Sequence, residues 1–183
     1  MPTASEIQAK RGGRELSRVV YGPEEIRRRV AELGREITEA YAPEDDLLVL
    51  GVLKGSFIFL ADLVRVIDLP LQVDFLVASS YGAGTVSRGE VRLLYDPEAD
   101  LEGRAVLLIE DIVDSGTTLD RVIPLLEERG PASLEICALL HKGKAERVRE
   151  PRWVGFEAPD AFLVGYGLDH AEDFRHLPYI ASL

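Results

Sequence analysis

The chain has 183 residues, 46 % of them hydrophobic and 29 % charged, and carries a net charge of −11. That length suits one domain with a substantial core, and the negative charge argues against non-specific binding of nucleic acid or anionic membrane. No apolar run reaches the ~18 residues of a membrane span, and the first residues lack a signal-peptide core.

The single cysteine, Cys137, allows no internal disulfide, which fits a reducing cytoplasm, and its apolar surroundings make it a buried structural thiol. Of the 21 basic residues only Lys10, Lys54, Lys142 and Lys144 are lysines, so each lysine merits inspection.

Residues 1–14 are polar and contain Arg and Gly; they read as a flexible N-terminus ahead of a single domain over 15–183. "ELSRVVYG" reads as a short strand. "GPEEIRRRVAELGREITEAYA" places Ile26, Val30, Leu33 and Ile37 at helical spacing, behind Pro23 and first-turn acids. "DLLVLGVL" is a continuous apolar run, the pattern of a strand buried on both faces. "GSFIFLADLVRVI" reads as a helix and "LQVDFLVASSY" as a strand. A Gly/Ser loop at about 80–92 precedes the strand "VRLLYD". "RAVLLIEDI" is another buried strand, and "TTLDRVIPLLEERG" a helix ended by Gly130, with Pro124 predicted to kink it or shift its start. "SLEICALL" and "AFLVGYGL" read as two more strands. Strands alternating with helices predict an α/β fold with a doubly wound, mainly parallel central sheet flanked by helices. In such sheets ligands sit beyond the carboxyl ends of the strands.

"VLLIEDIVDSGTTLD" places Glu110, Asp111 and Asp114 at that edge. Ser115, Gly116, Thr117 and Thr118 follow and lead into a helix. Such a turn can aim N–H groups and hydroxyls at a phosphate. Carboxylates only accept hydrogen bonds and so suit sugar hydroxyls. The segment is neither a P-loop nor a dinucleotide fingerprint. It can read a ribose 5-phosphate. The plainer reading is a helix N-cap, with Asp114 or Ser115 closing the helix and the other acids in solvent.

This stretch resembles the phosphoribosyl-diphosphate signature of type I phosphoribosyltransferases. "GVLKGSFIFLADLVR", "SSYG", "LLHKGKAER" and "VGFEAPDAFLVGYGLDHAEDFRHLPYI" are similar to further motifs of the hypoxanthine–guanine group of purine salvage enzymes. The resemblance implies a small hood formed by terminal segments over the central sheet. It implies transfer of a 5-phosphoribosyl group from 5-phosphoribosyl 1-diphosphate to N9 of a 6-oxopurine, with Mg2+ as cofactor. The implied partners are those small molecules, with no nucleic acid and no membrane, and a homodimer or homotetramer in the cytoplasm.

The resemblance also distributes roles. Ser115, Gly116, Thr117 and Thr118 bind the 5-phosphate. Glu110 and Asp111 serve the ribose hydroxyls directly or through metal-bound water, and Asp114 is the base at purine N7. Asp169 contacts a metal ion, while Lys54, Gly55 and Arg175 face diphosphate. The peptide bond between Leu53 and Lys54 is often cis in this family. Lys142 meets the purine oxygen, Phe162 stacks on the base and the backbone at Leu163 reaches its edge. Ser80 and Tyr81 begin a flexible loop that closes over the ribose.

Two positions depart from common family residues, Thr117 before Thr118 and His170 after Asp169. Without the resemblance, "LDHAEDFR" reads as a polar helical turn, Lys142 as a solvated lysine and Phe162 as core, while Lys54 reads equally as a solvated strand-end lysine or a functional one. Two alternative functions stand beside the main one, a regulator of the same fold that binds nucleic acid and a xanthine-preferring transferase.

Overall fold

The computed structural model describes residues 16–79, 92–143 and 149–183. Strand β1 (Arg18–Tyr21) leads into helix α1 (Pro23–Ala40), strand β2 (Leu47–Leu53) and helix α2 (Phe57–Val64). Strands β3 (Leu71–Ser79), β4 (Arg92–Tyr95) and β5 (Ala105–Val113) follow, then helix α3 (Thr117–Glu127), β6 (Ser133–His141) and β7 (Trp153–Glu157). The chain ends with β8 (Leu163–Val164) and β9 (Ile180–Ser182).

Six strands form the central sheet in the order β4-β3-β2-β5-β6-β7. Only β4 runs antiparallel, on β3; the other pairings are parallel. The apolar runs explain the double covering. Leu47 and Val49 of β2, with Leu107 and Ile109 of β5, join a core closed by Ile26, Val30, Leu33 and Ile37 of α1 and Phe59, Leu60 and Leu63 of α2. Their neighbours Leu48, Leu50, Val106 and Leu108 face the other way, onto Leu119, Val122, Ile123 and Leu126 of α3. Alternate residues point to opposite faces, so a strand covered on both sides must be apolar throughout.

A second, three-stranded sheet in the order β1-β9-β8 joins the two ends of the described chain. This is the small terminal unit expected over the main sheet. One strand reading needs correction, and one central strand goes unread in the sequence. "AFLVGYGL" is not a strand of the central sheet. Only Leu163–Val164 is extended, and it pairs with β9, because Gly165 (φ +97°), Tyr166 (φ +51°) and Gly167 (φ +103°) turn the chain out of the extended region. The edge strand of the central sheet is instead β7, which no sequence pattern singles out; it pairs with β6 from Cys137–Trp153 to His141–Glu157. Helix α3 runs from Thr117 to Glu127 with Pro124 inside it. Residues 1–14, Ser80, Tyr81 and most of the loop read at about 80–92 lie outside the described residues, and Arg92 already belongs to β4.

Arg29 ties α1 to the sheet. Its Nε donates to the Gly155 carbonyl at 3.0 Å and its Nη2 to that of Val154 at 2.8 Å. Helix α1 also meets the end of α2 at Gly34, where a β-carbon would lie 2.6 Å from Val66 Cγ2 and 2.7 Å from the Val66 carbonyl oxygen. Alanine is worth about 1 kcal/mol over glycine inside a helix. Here the obstacle is backbone, and overpacking costs typically 1–3 kcal/mol. Gly34→Ala should therefore lower the melting temperature by a few degrees, measured by thermal unfolding. An increase would show that the two helices separate freely.

Candidate active site

Register places the chemistry. Leu50 lies beside Leu108 and Gly51 beside Ile109, so the carboxyl ends of β2 and β5 emerge together. Strand β3 flanks β2 on the other side, with Leu53 level with Val77. The chain thus leaves β2 toward β3 on one side and returns to β5 on the other. The crevice between β2 and β5 is the switch point where open α/β sheets bind ligands. Lys54 and Gly55 leave β2 there, and Glu110 and Asp111 stand at the end of β5.

The segment after β5 is not a side-chain N-cap. The residue flanking α3 is Gly116, with φ 74°, and no side chain caps the helix. Ser115 Oγ lies 2.9 Å from Thr117 Oγ1 and 3.5 Å from the Thr117 nitrogen. Ser115, Thr117 and Thr118 are exposed. The left-handed turn at Gly116 brings free N–H groups and three hydroxyls to the start of an eleven-residue helix, an arrangement that receives an anion.

Val113 pairs with His141 across β5 and β6, so the next residues, Asp114 and Lys142, meet. The Lys142 ammonium donates to Asp114 Oδ2 at 2.7 Å, and its backbone N–H to the Val113 carbonyl at 3.0 Å. The Lys142 side chain is only 11 % exposed while that of Asp114 is 53 % exposed. Lys142 is therefore not a solvated surface lysine. It is held beside an acid at the mouth of the crevice.

Glu110 is 5 % exposed. Burial, then the adjacent Asp111 charge, pushes its carboxyl well above the usual carboxylate range. Burial also raises Asp111, opposed by the N–H groups of Ile112 and Asp111 and by Arg175, and reinforced by Asp169. Gly55 makes this crowding possible, because a β-carbon there would lie 1.7 Å from Asp111 Oδ2. On the opposite side a β-carbon on Gly167 would lie 2.1 Å from the Gly55 carbonyl oxygen. The peptide bond between Leu53 and Lys54 is cis.

The loop after β8 carries the remaining charges. It is not the helical turn that its polar composition allows. Tyr166, Ala171, Glu172 and Phe174 are left-handed there, and small bridges join Gly165 to Leu168 and His170 to Asp173. Such conformations in residues with a β-carbon concentrate at functional sites. Arg175 Nη1 donates to the Gly167 carbonyl at 2.8 Å, and Nη2 lies 2.7 Å from Asp169 Oδ1 and 3.4 Å from Glu172 Oε2. Its Nε is buried with no hydrogen-bond partner. Lys54 Nζ reaches Glu172 Oε1 at 3.1 Å. Both cations expected to face diphosphate thus meet Glu172, a residue that no motif in the sequence singles out, with Asp169 the nearer partner of Arg175. Phe162 is 56 % exposed and lies edge-to-face on His170, with ring centres 5.3 Å apart. Its carbonyl accepts from the Leu183 N–H at 3.0 Å. Phe162 is therefore an exposed aromatic and not core. Leu163 is buried in β8, level with Ser182.

Among the described residues no three His, Cys, Asp or Glu side chains gather as a metal cluster. Glu110, Asp111 and Asp169 are therefore not a closed cage. They are hard oxygen donors spread along the crevice, with Asp111 and Asp169 near enough to repel.

A carboxyl raised above its unfolded value of about 4.3 keeps its proton in the folded chain after the unfolded chain has lost it. The folded state then binds more protons, so stability falls as pH rises through that window. Glu110→Gln should remove this loss. At pH 8 its ligand-free melting temperature should rise by roughly 2–4 °C, the shift that about 1 kcal/mol gives in a domain of this size. The fall of melting temperature with pH should also flatten. An unchanged slope would mean that Glu110 is not the buried group responsible.

A family model described as phosphoribosyl transferase domain matches residues 22–171. A hypoxanthine phosphoribosyltransferase of Haemophilus influenzae is 46 % identical over 168 residues, 90 % of this chain and 94 % of that protein. A hypoxanthine-guanine phosphoribosyltransferase of Bacillus subtilis is 47 % identical over 171 residues, covering 92 % and 94 %. The crystal structure of a hypoxanthine phosphoribosyltransferase from Staphylococcus aureus superposes with a TM-score of 0.86 at 43 % identity, covering 92 % of this chain and 91 % of that one. These relatives favour neither the nucleic-acid regulator nor a xanthine preference. With its sheet, its crevice and the acidic end of β5, the chain belongs to the phosphoribosyltransferase family.

Proposed function

We propose that this chain transfers the 5-phosphoribosyl group from 5-phosphoribosyl 1-diphosphate to N9 of hypoxanthine or guanine in purine salvage. The observation that carries the choice of base is the Lys142–Asp114 pair, 2.7 Å apart. A 6-oxopurine presents O6 and N7 side by side on one edge. An ammonium donor beside a carboxylate acceptor matches that edge when N7 carries a proton.

In the transfer, the bond from ribose C1 to the diphosphate oxygen breaks and its electron pair leaves with diphosphate. The N9 lone pair forms the new bond, and the N7 proton passes to Asp114. The turn at 115–118 holds the 5-phosphate through its N–H groups and hydroxyls. Glu110 and Asp111 accept from the ribose hydroxyls, and the negative charge they carry when deprotonated favours the oxocarbenium character at C1. Phe162 stacks on the base, with the Leu163 backbone at its edge. Lys54 and the N–H groups at Gly55 face the diphosphate once Glu172 releases Lys54, and Arg175 does so once Glu172 and Asp169 yield its Nη2.

Asp169, with Asp111 close by, suits Mg2+, which takes one or two carboxylates and completes its shell with water and substrate oxygens. The ion would neutralise diphosphate charge. Ser80 and Tyr81 lie outside the described residues, and their contact with the ribose side of the substrate is proposed from the resemblance alone. A homodimer or homotetramer is a reading carried by the resemblance. No described helix is long and apolar enough to cross a membrane, and the free Cys137 is buried, both consistent with a cytoplasmic protein.

Asp114→Asn keeps an acceptor for Lys142 but removes the base. It should lower turnover by roughly 10²-fold with binding of phosphoribosyl diphosphate retained; near-normal turnover at saturating substrates would remove Asp114 from the mechanism. Lys142→Ala should raise KM for the 6-oxopurine by about tenfold or more and leave KM for phosphoribosyl diphosphate within about twofold. Equal rises in both constants would count against a purine contact.

A further inference from the structure

We propose that Tyr166 and Asp62 are a positioning pair, whose phenol–carboxylate hydrogen bond holds the 165–175 loop against the 53–56 turn and so sets the gap in which diphosphate is gripped. This rests on the reading of that gap as the diphosphate site. Neither residue touches the substrate in that reading.

The two ends of the bond lie on the two halves of the gap. Asp62 belongs to α2, the helix that starts directly after the 53–56 turn. Tyr166 immediately precedes Gly167, whose α-carbon lies against the Gly55 carbonyl so closely that a β-carbon would come to 2.1 Å. The Tyr166 hydroxyl donates to Asp62 Oδ2 at 2.7 Å, and the other Asp62 oxygen takes Arg65. The Tyr166 ring is 6 % exposed. Its backbone N–H donates to the Leu177 carbonyl at 2.9 Å. With both donors bonded, Tyr166 is kept at φ +51°, a conformation that a residue with a β-carbon disfavours.

The charge sits on the residues beyond Tyr166. The Gly167 N–H donates to the Arg175 carbonyl at 3.0 Å, and Arg175 Nη1 returns a bond to the Gly167 carbonyl at 2.8 Å. The guanidinium is therefore fixed to Gly167, Gly167 to Gly55, and the loop to α2 through one hydroxyl. Burial and the Asp62 bond both push the Tyr166 phenol up, so it stays a donor at any working pH. Among the described residues, loss of that hydroxyl leaves the packing of Gly167 on Gly55 without a polar tie to α2, with the exposed Lys54–Glu172 pair as the bond from loop to turn. The gap can then open on the diphosphate side, while the Lys142–Asp114 edge is carried by β5 and β6 and stays in place.

The test is steady-state kinetics together with the rise in melting temperature caused by phosphoribosyl diphosphate and Mg2+. Tyr166→Phe should raise KM for phosphoribosyl diphosphate about fivefold to tenfold, the loss expected of one hydrogen bond. It should leave kcat and KM for the purine within about twofold and shrink the ligand-induced rise in melting temperature. Asp62→Asn keeps the acceptor and should behave like the wild type. Asp62→Leu should match Tyr166→Phe, and the double variant should be no worse than either. An unchanged KM for phosphoribosyl diphosphate in Tyr166→Phe, or equal rises for both substrates, overturns the proposal. A wild type that forms no nucleotide overturns the functional reading instead. The pair is then decided by the thermal shift alone, which a full ligand-induced rise in Tyr166→Phe would overturn.

Discussion

A β-carbon on Gly55 would stand 1.7 Å from the Asp111 carboxylate, and one on Gly167 would stand 2.1 Å from the Gly55 carbonyl. The site depends on this stack of backbone on backbone on carboxylate. It lets the turn after β2 lie directly on the end of β5, and it lets the loop after β8 lie directly on that turn. Three segments far apart in sequence thereby share one crevice. Gly167, at φ +103°, meets both the steric and the conformational demand; no residue with a β-carbon meets either.

The same crowding governs the electrostatics. A protein of charge −11 has to receive a polyanion. It keeps two carboxyls at the sheet edge, and burial raises the pKa of both. Lys54 and Arg175, the two cations proposed to face diphosphate, pair with Glu172, an exposed acid whose carboxyl they hold below the usual range, Lys54 more than Arg175, and Arg175 pairs more closely with Asp169. Exposed ion pairs are weak, so a ligand with several negative charges displaces Glu172 at little cost. Asp114 and Lys142 are a different kind of pair. They hold each other in place at the mouth of the crevice, and in the proposed function each meets one atom of the purine edge.

Much of this is legible in the sequence. The apolar runs "DLLVLGVL" and "RAVLLIEDI" announce strands covered on both faces, and the acids and hydroxyls after "VLLI" mark the ligand edge. The rest is set by long-range register and by backbone conformation. That Asp114 meets Lys142 depends on the pairing of Val113 with His141, which no local pattern encodes. The role of Glu172 depends on four left-handed residues that make a loop from a stretch with helical composition. Strand β7 is short and interrupted by Gly155, so its period is too brief to read. β8 and β9 are shorter still and owe their extension to each other and to β1.

The most direct test of the account is to incubate the purified protein with 5-phosphoribosyl 1-diphosphate, Mg2+ and each of hypoxanthine, guanine, xanthine and adenine, and to measure nucleotide and diphosphate formed. The account predicts equal amounts of nucleotide and diphosphate with hypoxanthine or guanine. It predicts turnover with adenine lower by at least about tenfold, because an amino donor at C6 faces the Lys142 donor and buried mismatches cost ~1–3 kcal/mol. Adenine as the best substrate, or diphosphate release without nucleotide for every base, would contradict it.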